Sequence, residues 1–539
     1  MTDLPSRVIT GATLRGPGAG PGDDALRLGP NGRLEATGPA AELVTEGTTT
    51  ERLSGACVLP GLHDAHAHLG MLGAFSEQVD LRGCASEDEL VERVRQAAAE
   101  RPPGTFVEGW GWNQEDWPEG ALPDHHALSA AVPDHPVLLT RIDSHATLVN
   151  AATLRLAAIT PDHVVPPGGA ILRDREGEPT GVFVDTAESL LPSPPPPSRE
   201  QLATRLLAAQ DACLRAGLTM VSDAWVDEPT LSVLEELAAS GELKLRVNVW
   251  LGGQFDADNR PRPWLAERLA RGPERLGGSG RLSIGTVKLF SDGALGSRGA
   301  ALLEPYADRP ETSGLLQVDH AQLEARLRHV HRAGFQAAIH AIGDAANRLV
   351  LDACEAALGK NAGDHRFRIE HAQVVTGDDI ARFGDLGLIA SVQPTHATSD
   401  LGMTEQRLGE RRIETAHAWR SLARSGAPLC LGSDFPIEPV EPLYGVHAAV
   451  TRRRRDGAPA GGWRTEEALN LDEAIAGFTS DAAWAAFLED ELGSWSSGKR
   501  GDFVVLDRDP LAVNEQELWE LKVKETWVEG ERVFGVARD

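Results

Sequence analysis

Residues 202–224, "LATRLLAAQDACLRAGLTMVSDA", read as an amphipathic helix, a glycine and a short apolar strand. The same unit recurs at 231–251 ("LSVLEELAASGELKLRVNVWL"), 323–344 ("LEARLRHVHRAGFQAAIHAIGD"), 378–394 ("DDIARFGDLGLIASVQP") and 417–434 ("HAWRSLARSGAPLCLGSD"). Its glycines, Gly217, Gly241, Gly334, Gly387 and Gly426, stand where a helix end needs a left-handed backbone. The strands are continuous apolar runs, as expected of a parallel sheet buried on both faces. About eight strands start near Val58, Leu218, Leu245, Ile284, Phe335, Phe367, Leu388 and Pro428. Eight β/α units predict a (β/α)8 TIM barrel. Pattern alone leaves a doubly wound open sheet as the alternative.

Two regions lie outside that pattern. Residues 70–200 form a long insertion after the first barrel strand, ending in "LLPSPPPPSRE", a stiff polyproline connector. Both chain ends ("RVITGATLRG", "GDFVVLDRDP", "VKETWVEGERVFGV") alternate and turn like small-sheet strands. The expected division is a composite β-sandwich from 1–56 and 495–539, a barrel from 57–69 and 201–494, and an inserted substrate-side domain over 70–200.

Composition narrows the function. At 539 residues, 41% hydrophobic and 24% charged, the chain is large enough for a substantial core. A net charge of −28 argues against nucleic acid, and the one basic run, Arg452–Arg455, is too short to reverse it and reads as a solvated helix end. No apolar run approaches the ~20 residues of a membrane helix. The start, "MTDLPSRVIT", has neither a basic leader nor an apolar core, so secretion is not expected and the cytoplasm is. Five scattered cysteines (57, 84, 213, 354, 430) contain no CxxC pair, against both a disulfide framework and a thiolate zinc site.

The chemistry-bearing segment is "LPGLHDAHAHL", 59–69. In a strand, residues i and i+2 face together, which pairs His66 with His68, sets His63 out of phase, and leaves Asp64 deeper as a support. On its own this is a modest signal. His340 ends the fifth strand, His371 the sixth and Asp434 the eighth, and barrel active sites gather at such C-terminal ends. Four histidines and one aspartate therefore converge on one opening. Lys288 lies inside the apolar run "GTVKLF", where burial penalises its charge. It either pairs with a carboxylate such as Asp292 or Asp434, or reacts as the neutral amine with carbon dioxide to give a carbamate able to bridge two metal ions.

These segments resemble the amidohydrolase superfamily, and more closely its amidohydrolase-3 group, with the YtcJ-like proteins and N-substituted formamide deformylase. The matching stretches are "LPGLHDAHAH", "EGWGWNQEDWPEGALPDHHAL", "RIDSHATLVNAATL", "TVKLFSDGALGSRGA", "IHAIGDAA", "RIEHAQ", "ASVQPTHATSDL", "GSDFPIEPVEPL" and "GSWSSGKRGDFVVLDRDP", in matching order from about residue 57 onward. Ser144 stands where close relatives are expected to carry glycine. The resemblance implies a binuclear site: His66, His68 and Asp434 at one metal, His340 and His371 at the other, carbamylated Lys288 between them. Such ligands suit two zinc ions, with manganese, iron or cobalt as other occupants. It implies hydrolysis of a non-peptide carbon–nitrogen bond, in an amide, N-substituted formamide or related small substrate, by a metal-activated hydroxide, with Asp434 moving the proton.

Substrate-facing candidates follow. Trp110 and Trp112, on one side if "EGWGWNQEDWP" is extended, form a hydrophobic wall or simply pack. His145 either binds a substrate carbonyl or stabilises the oxyanion, or is a packed polar residue. Asp292 and Arg298 follow the lysine strand, and Arg298 either anchors an acidic substrate group or forms a structural salt bridge. Gln393 and Thr395 line the mouth, and Cys430 reads as a small core residue. Two rivals remain: a deaminase or cyclic-amide hydrolase with a mononuclear site, and a catalytically silent binding protein. The expected partner is a small molecule, neither nucleic acid nor membrane, and a homodimer fits large barrels of this type.

Overall fold

The computed structural model describes residues 6–114, 117–118, 120–142, 146–166, 169–359 and 363–535. Its centre is an eight-stranded sheet with strands in sequential order: β1 (Leu62–Ala67), β2 (Leu218–Val226), β3 (Arg246–Gly252), β4 (Leu282–Phe290), β5 (Gln336–Ala341), β6 (Arg368–His371), β7 (Ile389–Val392) and β8 (Leu429–Leu431). Every neighbouring pair is parallel. The edge strands meet just past their ends. The Asp434 amide donates to the His66 carbonyl at 2.8 Å, and the His68 amide to the Phe435 carbonyl at 2.8 Å. The sheet thus closes into the expected TIM barrel, and closure itself brings His66, His68 and Asp434 together.

The repeating unit behaves as its chemistry dictates. The helix Glu228–Ser240 starts on Asp227, whose side chain accepts from the Thr230 amide, and ends at Gly241. All five helix-to-strand glycines are left-handed, with φ of 88° (Gly217), 78° (Gly241), 76° (Gly334), 63° (Gly387) and 87° (Gly426). At Gly217 space is limiting too, since a Cβ would meet the side chains of Val504 and Val523 within 3.0 Å. The outer faces of the strands (Val247, Val249, Leu251, Val287, Leu289, Ile339, Ile369) form one continuous buried cluster with the helices.

The first strand divides differently from its sequence reading. The run that includes Val58 is a separate strand, Thr49–Pro60, pairing parallel with Arg7–Leu14 and antiparallel with Phe503–Leu506. Gly61 separates it from β1, where a Cβ would sit 2.2 Å from Thr219 Oγ1. Both chain ends contribute to one seven-stranded sheet, in the order 531–535, 523–528, 503–506, 49–60, 7–14, 25–28, 34–38. A buried ion pair ties this sheet to the barrel floor: Arg246, opening β3, donates to Asp502 at 2.6 and 2.9 Å. Barrel and sheet form one compact unit, Met1–Leu72 with Leu202–Asp539.

Gly73–Gln201 is a second compact unit. It holds a six-stranded sheet in the order 169–173, 179–185, 146–149, 137–141, 107–112, 79–80. The helices Glu87–Ala99 and His125–Ala131 help build its own core, which includes Leu90, Val94, Trp112, Leu128, Leu139 and Leu148. The proline-rich residues 192–198 carry neither helix nor strand. Among the described residues, no helix is long and apolar enough to cross a membrane, and all five cysteines are free and buried.

Candidate metal centre

The residues at the strand ends converge. Ligand atoms of His66, His371 and Asp434 all lie within 4.8 Å of one another. The rings of His340 and His371 are 4.6 Å apart, and those of His66 and His68 are 5.6 Å apart. Asp434 Oδ1 lies 3.1 Å from His68 Nε2 and 3.5 Å from His66 Nε2. Neither contact is oriented as a hydrogen bond, so this buried oxygen has no donor. An orphaned carboxylate oxygen facing imidazole nitrogens is expensive unless a cation completes the set. The donor set therefore fits divalent metal.

The tautomers follow from what stands behind each ring. His66 Nδ1 lies 2.5 Å from Glu370 Oε2. Glu370 is held down to about 2 against its burial, chiefly by Arg368 and then by His66. An ionised carboxylate only accepts, so Nδ1 carries the proton and the Nε2 lone pair faces the centre. His371 Nδ1 lies 2.8 Å from Gln393 Oε1, whose amide nitrogen donates to the Ser391 carbonyl at 3.4 Å, fixing the orientation. Burial lowers the basicity of the histidines, aided by Lys288 at His66 (about 4) and His340 (about 3), and by His340 at His371. Neutral imidazole is the ligating form. His68 goes the other way: burial lowers it, but the Asp434 carboxylate outweighs burial and raises it. Asp434 is held well below the usual carboxylate range by His66 and His68 despite burial.

Lys288 is buried, with Nζ 5.8 Å from the Trp250 ring and 5.3 Å from that of Phe290. Its ion pair with Asp292 or Asp434, one of the two readings, is not formed: its polar contact is His66 Nε2 at 3.5 Å. Burial pushes the amine down to about 8, so the neutral, nucleophilic form is accessible near neutral pH.

Left-handed backbone shapes two ligand positions. His371 has φ 74° and Asp434 has φ 63°. Along β6, Arg368 and Glu370 share the interior face, with Arg368 donating to the Ala65 carbonyl at 2.9 Å. Strict alternation would turn His371 outward; the positive φ returns it to the opening.

The other candidates fall in several places. Asp292 accepts amide hydrogens from Ala301, Ile342 and Gly343 at 2.9–3.0 Å and lies 3.4 Å from His340 Nε2. It organises the loop that follows the His340 strand. Arg298 pairs with Asp308 at 2.7 Å, the structural salt bridge of its two readings. Gln393 is occupied by His371, and so positions that ring. Asp64 binds Ser433 at 2.6 Å, supporting the backbone before Asp434, and His63 turns to Ser222 at 3.0 Å. Trp110 and Trp112 do not continue one face: Gly111 has φ 100° and the pairing register shifts between the tryptophans. Trp110 packs on Phe75 and under Arg82. Trp112 is buried in its unit's core and donates to the Leu139 carbonyl at 2.7 Å, the packing alternative. His145 lies outside the described residues.

Four contributors escaped the sequence reading. Glu370 and Arg368 were concealed in "RIEHAQ" as ordinary charges. His396, on the helix Pro394–Ser399, stacks on His371 at 6.0 Å and places Nε2 3.7 Å from Asp434 Oδ2. Trp225, with φ 81° and 41% exposed at the end of β2, packs at a tilt against Phe290 with ring centroids 5.3 Å apart, and Phe290 packs at a tilt against His340, also at 5.3 Å. A strained aromatic beside a ligand is a feature of functional sites, and no spacing rule marks it.

A barrel whose mouth gathers neutral imidazoles, an orphaned carboxylate and a buried amine is that of a metal-dependent hydrolase. The amidohydrolase family model matches residues 51–534, and the chain belongs to that family. It is 35% identical over 489 residues to YtcJ of Bacillus subtilis, covering 89% of this chain and 90% of that one. It is 29% identical over 492 residues to N-substituted formamide deformylase of Arthrobacter pascens, covering 89% and 88%. Among solved structures, a metal-dependent hydrolase of Pyrococcus horikoshii superposes with a TM-score of 0.77 at 29% identity, covering 95% of this chain and 99% of that one.

Proposed function

We propose that the chain hydrolyses a non-peptide carbon–nitrogen bond in a small amide or N-substituted formamide. The observation that carries this is the cluster of His66, His371 and the orphaned Asp434 oxygen at the barrel mouth. The formamide-cleaving relative supports the bond type. His66, His68 and Asp434 would hold one divalent ion, His340 and His371 a second, and Lys288, as its carbamate, would bridge them. Ions held there would supply a Lewis acid for the substrate carbonyl and lower the pKa of water. Glu370 and Gln393 fix His66 and His371 so that their lone pairs face inward. With Oδ1 on the ion, Asp434 would use Oδ2 to take a proton from attacking water and return it to the leaving nitrogen, which departs as the amine. His396 Nε2 stands 3.7 Å from Asp434 Oδ2.

The test is metal stoichiometry by plasma mass spectrometry on protein purified without chelator, together with turnover of an amide and formamide panel. Two ions per chain and a loss of at least ~10³-fold in turnover for Lys288→Ala are expected. One ion with unmodified Lys288 would instead favour a mononuclear deaminase-type site. Absence of metal, with full activity in Lys288→Ala, would overturn the reading.

A further inference from the structure

Beside the metal centre, the barrel unit contains an open pocket of about 310 Å³. One wall is the helix Pro394–Ser399, which also carries His396 toward Asp434. Glu438, four residues past Asp434, forms another. The far wall is the helix Pro442–Thr451 with the basic run that follows it.

That run is not uniformly solvated. Arg452 is buried, stacked on Trp419 at 4.1 Å and bonded to the Trp463 carbonyl. Arg454 turns to Asp456 at 3.5 Å. Arg453 and Arg455 line the pocket, and among the described residues neither guanidinium has a carboxylate partner. This occurs in a chain of net charge −28, where 80 acidic residues face 52 basic ones. Arg455 is held in place by aromatics, lying 4.3 Å over Tyr444 and 5.9 Å from Trp519. The carboxylates that share the pocket are otherwise engaged: Glu438 accepts from Ser399, and Asp456 meets Arg454. The pocket's cationic character is felt by His447 on its wall, held down to about 4 by burial and then by Arg453 and Arg455.

We propose that Arg453 and Arg455 form a subsite for a carboxylate on the substrate. Paired guanidiniums match a carboxylate in charge and fork geometry. The one helix Pro394–Ser399 presents Thr395, Thr398 and Ser399 to this pocket and His396 to Asp434, so a single element separates subsite and metal centre. The substrate is then a short amide or formamide carrying an acid group several bonds from the scissile carbon–nitrogen bond. Glu438 and Asp456 also line the pocket, and their negative charge disfavours a phosphate dianion more than a carboxylate. This inference rests on the hydrolase reading for its turnover arm and is independent of it for its binding arm.

The binding arm titrates the metal-loaded protein with glutarate by calorimetry, with inorganic phosphate as the comparison. The turnover arm compares ω-formamido carboxylates of three to six methylenes with their methyl esters. Glutarate is expected to bind more tightly than phosphate, and the acids to be preferred over the esters through KM. In Arg453→Gln/Arg455→Gln both glutarate affinity and the acid preference fall at least about tenfold. The charge-retaining Arg453→Lys/Arg455→Lys is expected to keep part of each. Arg260→Gln, at an exposed pair with Asp258, serves as the control, and melting temperature reports on folding. Glutarate that fails to bind, or binds equally in the double glutamine variant, overturns the subsite, and tighter phosphate binding overturns the carboxylate assignment. If no formamide or ester turns over in the unaltered protein, the hydrolase reading fails while glutarate still decides the pocket.

Discussion

The His66 ring is fixed from behind by Glu370, and Glu370 by Arg368, whose Nε donates to Oε1 at 2.5 Å and whose guanidinium lies 4.5 Å over Trp250. Two buried charged groups are thereby committed to one imidazole orientation. Glu370→Gln removes the acceptor charge and leaves Arg368 buried without its counter-charge. Metal affinity, read by competition with a chromogenic chelator, is expected to fall about 10- to 100-fold. Gln393→Leu acts on His371 in the same way but without a charge, so the smaller loss is expected there. Trp112, assigned to its unit's core, yields the opposite kind of prediction. Trp112→Ala should cost about 3–5 kcal/mol in chemical denaturation of that unit, because it removes a large buried ring and the bond to Leu139.

At the scale of elements, β6 illustrates how a strand can serve two layers. Arg368 and Glu370 occupy the interior by alternation, and the left-handed turn at His371 and Ala372 (φ 74° and 41°) lets the next residue face the mouth as well. The helix His320–Arg332, which precedes the His340 strand, is anchored by a reciprocal capping box between Asp319 and Gln322. Asp319→Ala is expected to lower stability by about 1 kcal/mol, with metal stoichiometry unchanged, as checked by denaturation and metal analysis on the same preparation.

At the scale of the barrel and its terminal sheet, Arg246 and Asp502 are the joint. Both are buried, and Asp502 is held below its ordinary pKa by Arg246 despite burial. The folded pKa is depressed, so this stabilisation is present in full above the unfolded carboxylate value of about 4 and is lost as pH falls through it toward the folded value. Asp502→Asn should cost about 3–5 kcal/mol at neutral pH, because Arg246 is left buried and unpaired. The variant should also lose less further stability between pH 5 and 2, measured by urea denaturation across that range.

The barrel was legible because its signals are local. A helix, a left-handed glycine and a doubly buried strand each follow from neighbouring residues, and their repetition specifies a closed parallel sheet. That His66, His68, His340, His371 and Asp434 gather at one opening was legible because strand ends in such a sheet converge, and Lys288 stood out as a charge inside an apolar run. What lay beyond the sequence is what depends on residues far apart in the chain. Alternation along an extended "GWGW" placed Trp110 and Trp112 together, but Gly111 breaks the register. The run through Val58 leads into β1 with only Gly61 between them, and pairing with the C-terminal strand at 503–506 decides its place. Charge spacing made Arg452–Arg455 one solvated run, whereas folding buries Arg452, pairs Arg454 and leaves Arg453 and Arg455 facing a pocket. Hydrophobic period and backbone conformation are written in adjacent residues. The partner a polar group finds is set only when distant strands are brought within hydrogen-bond reach.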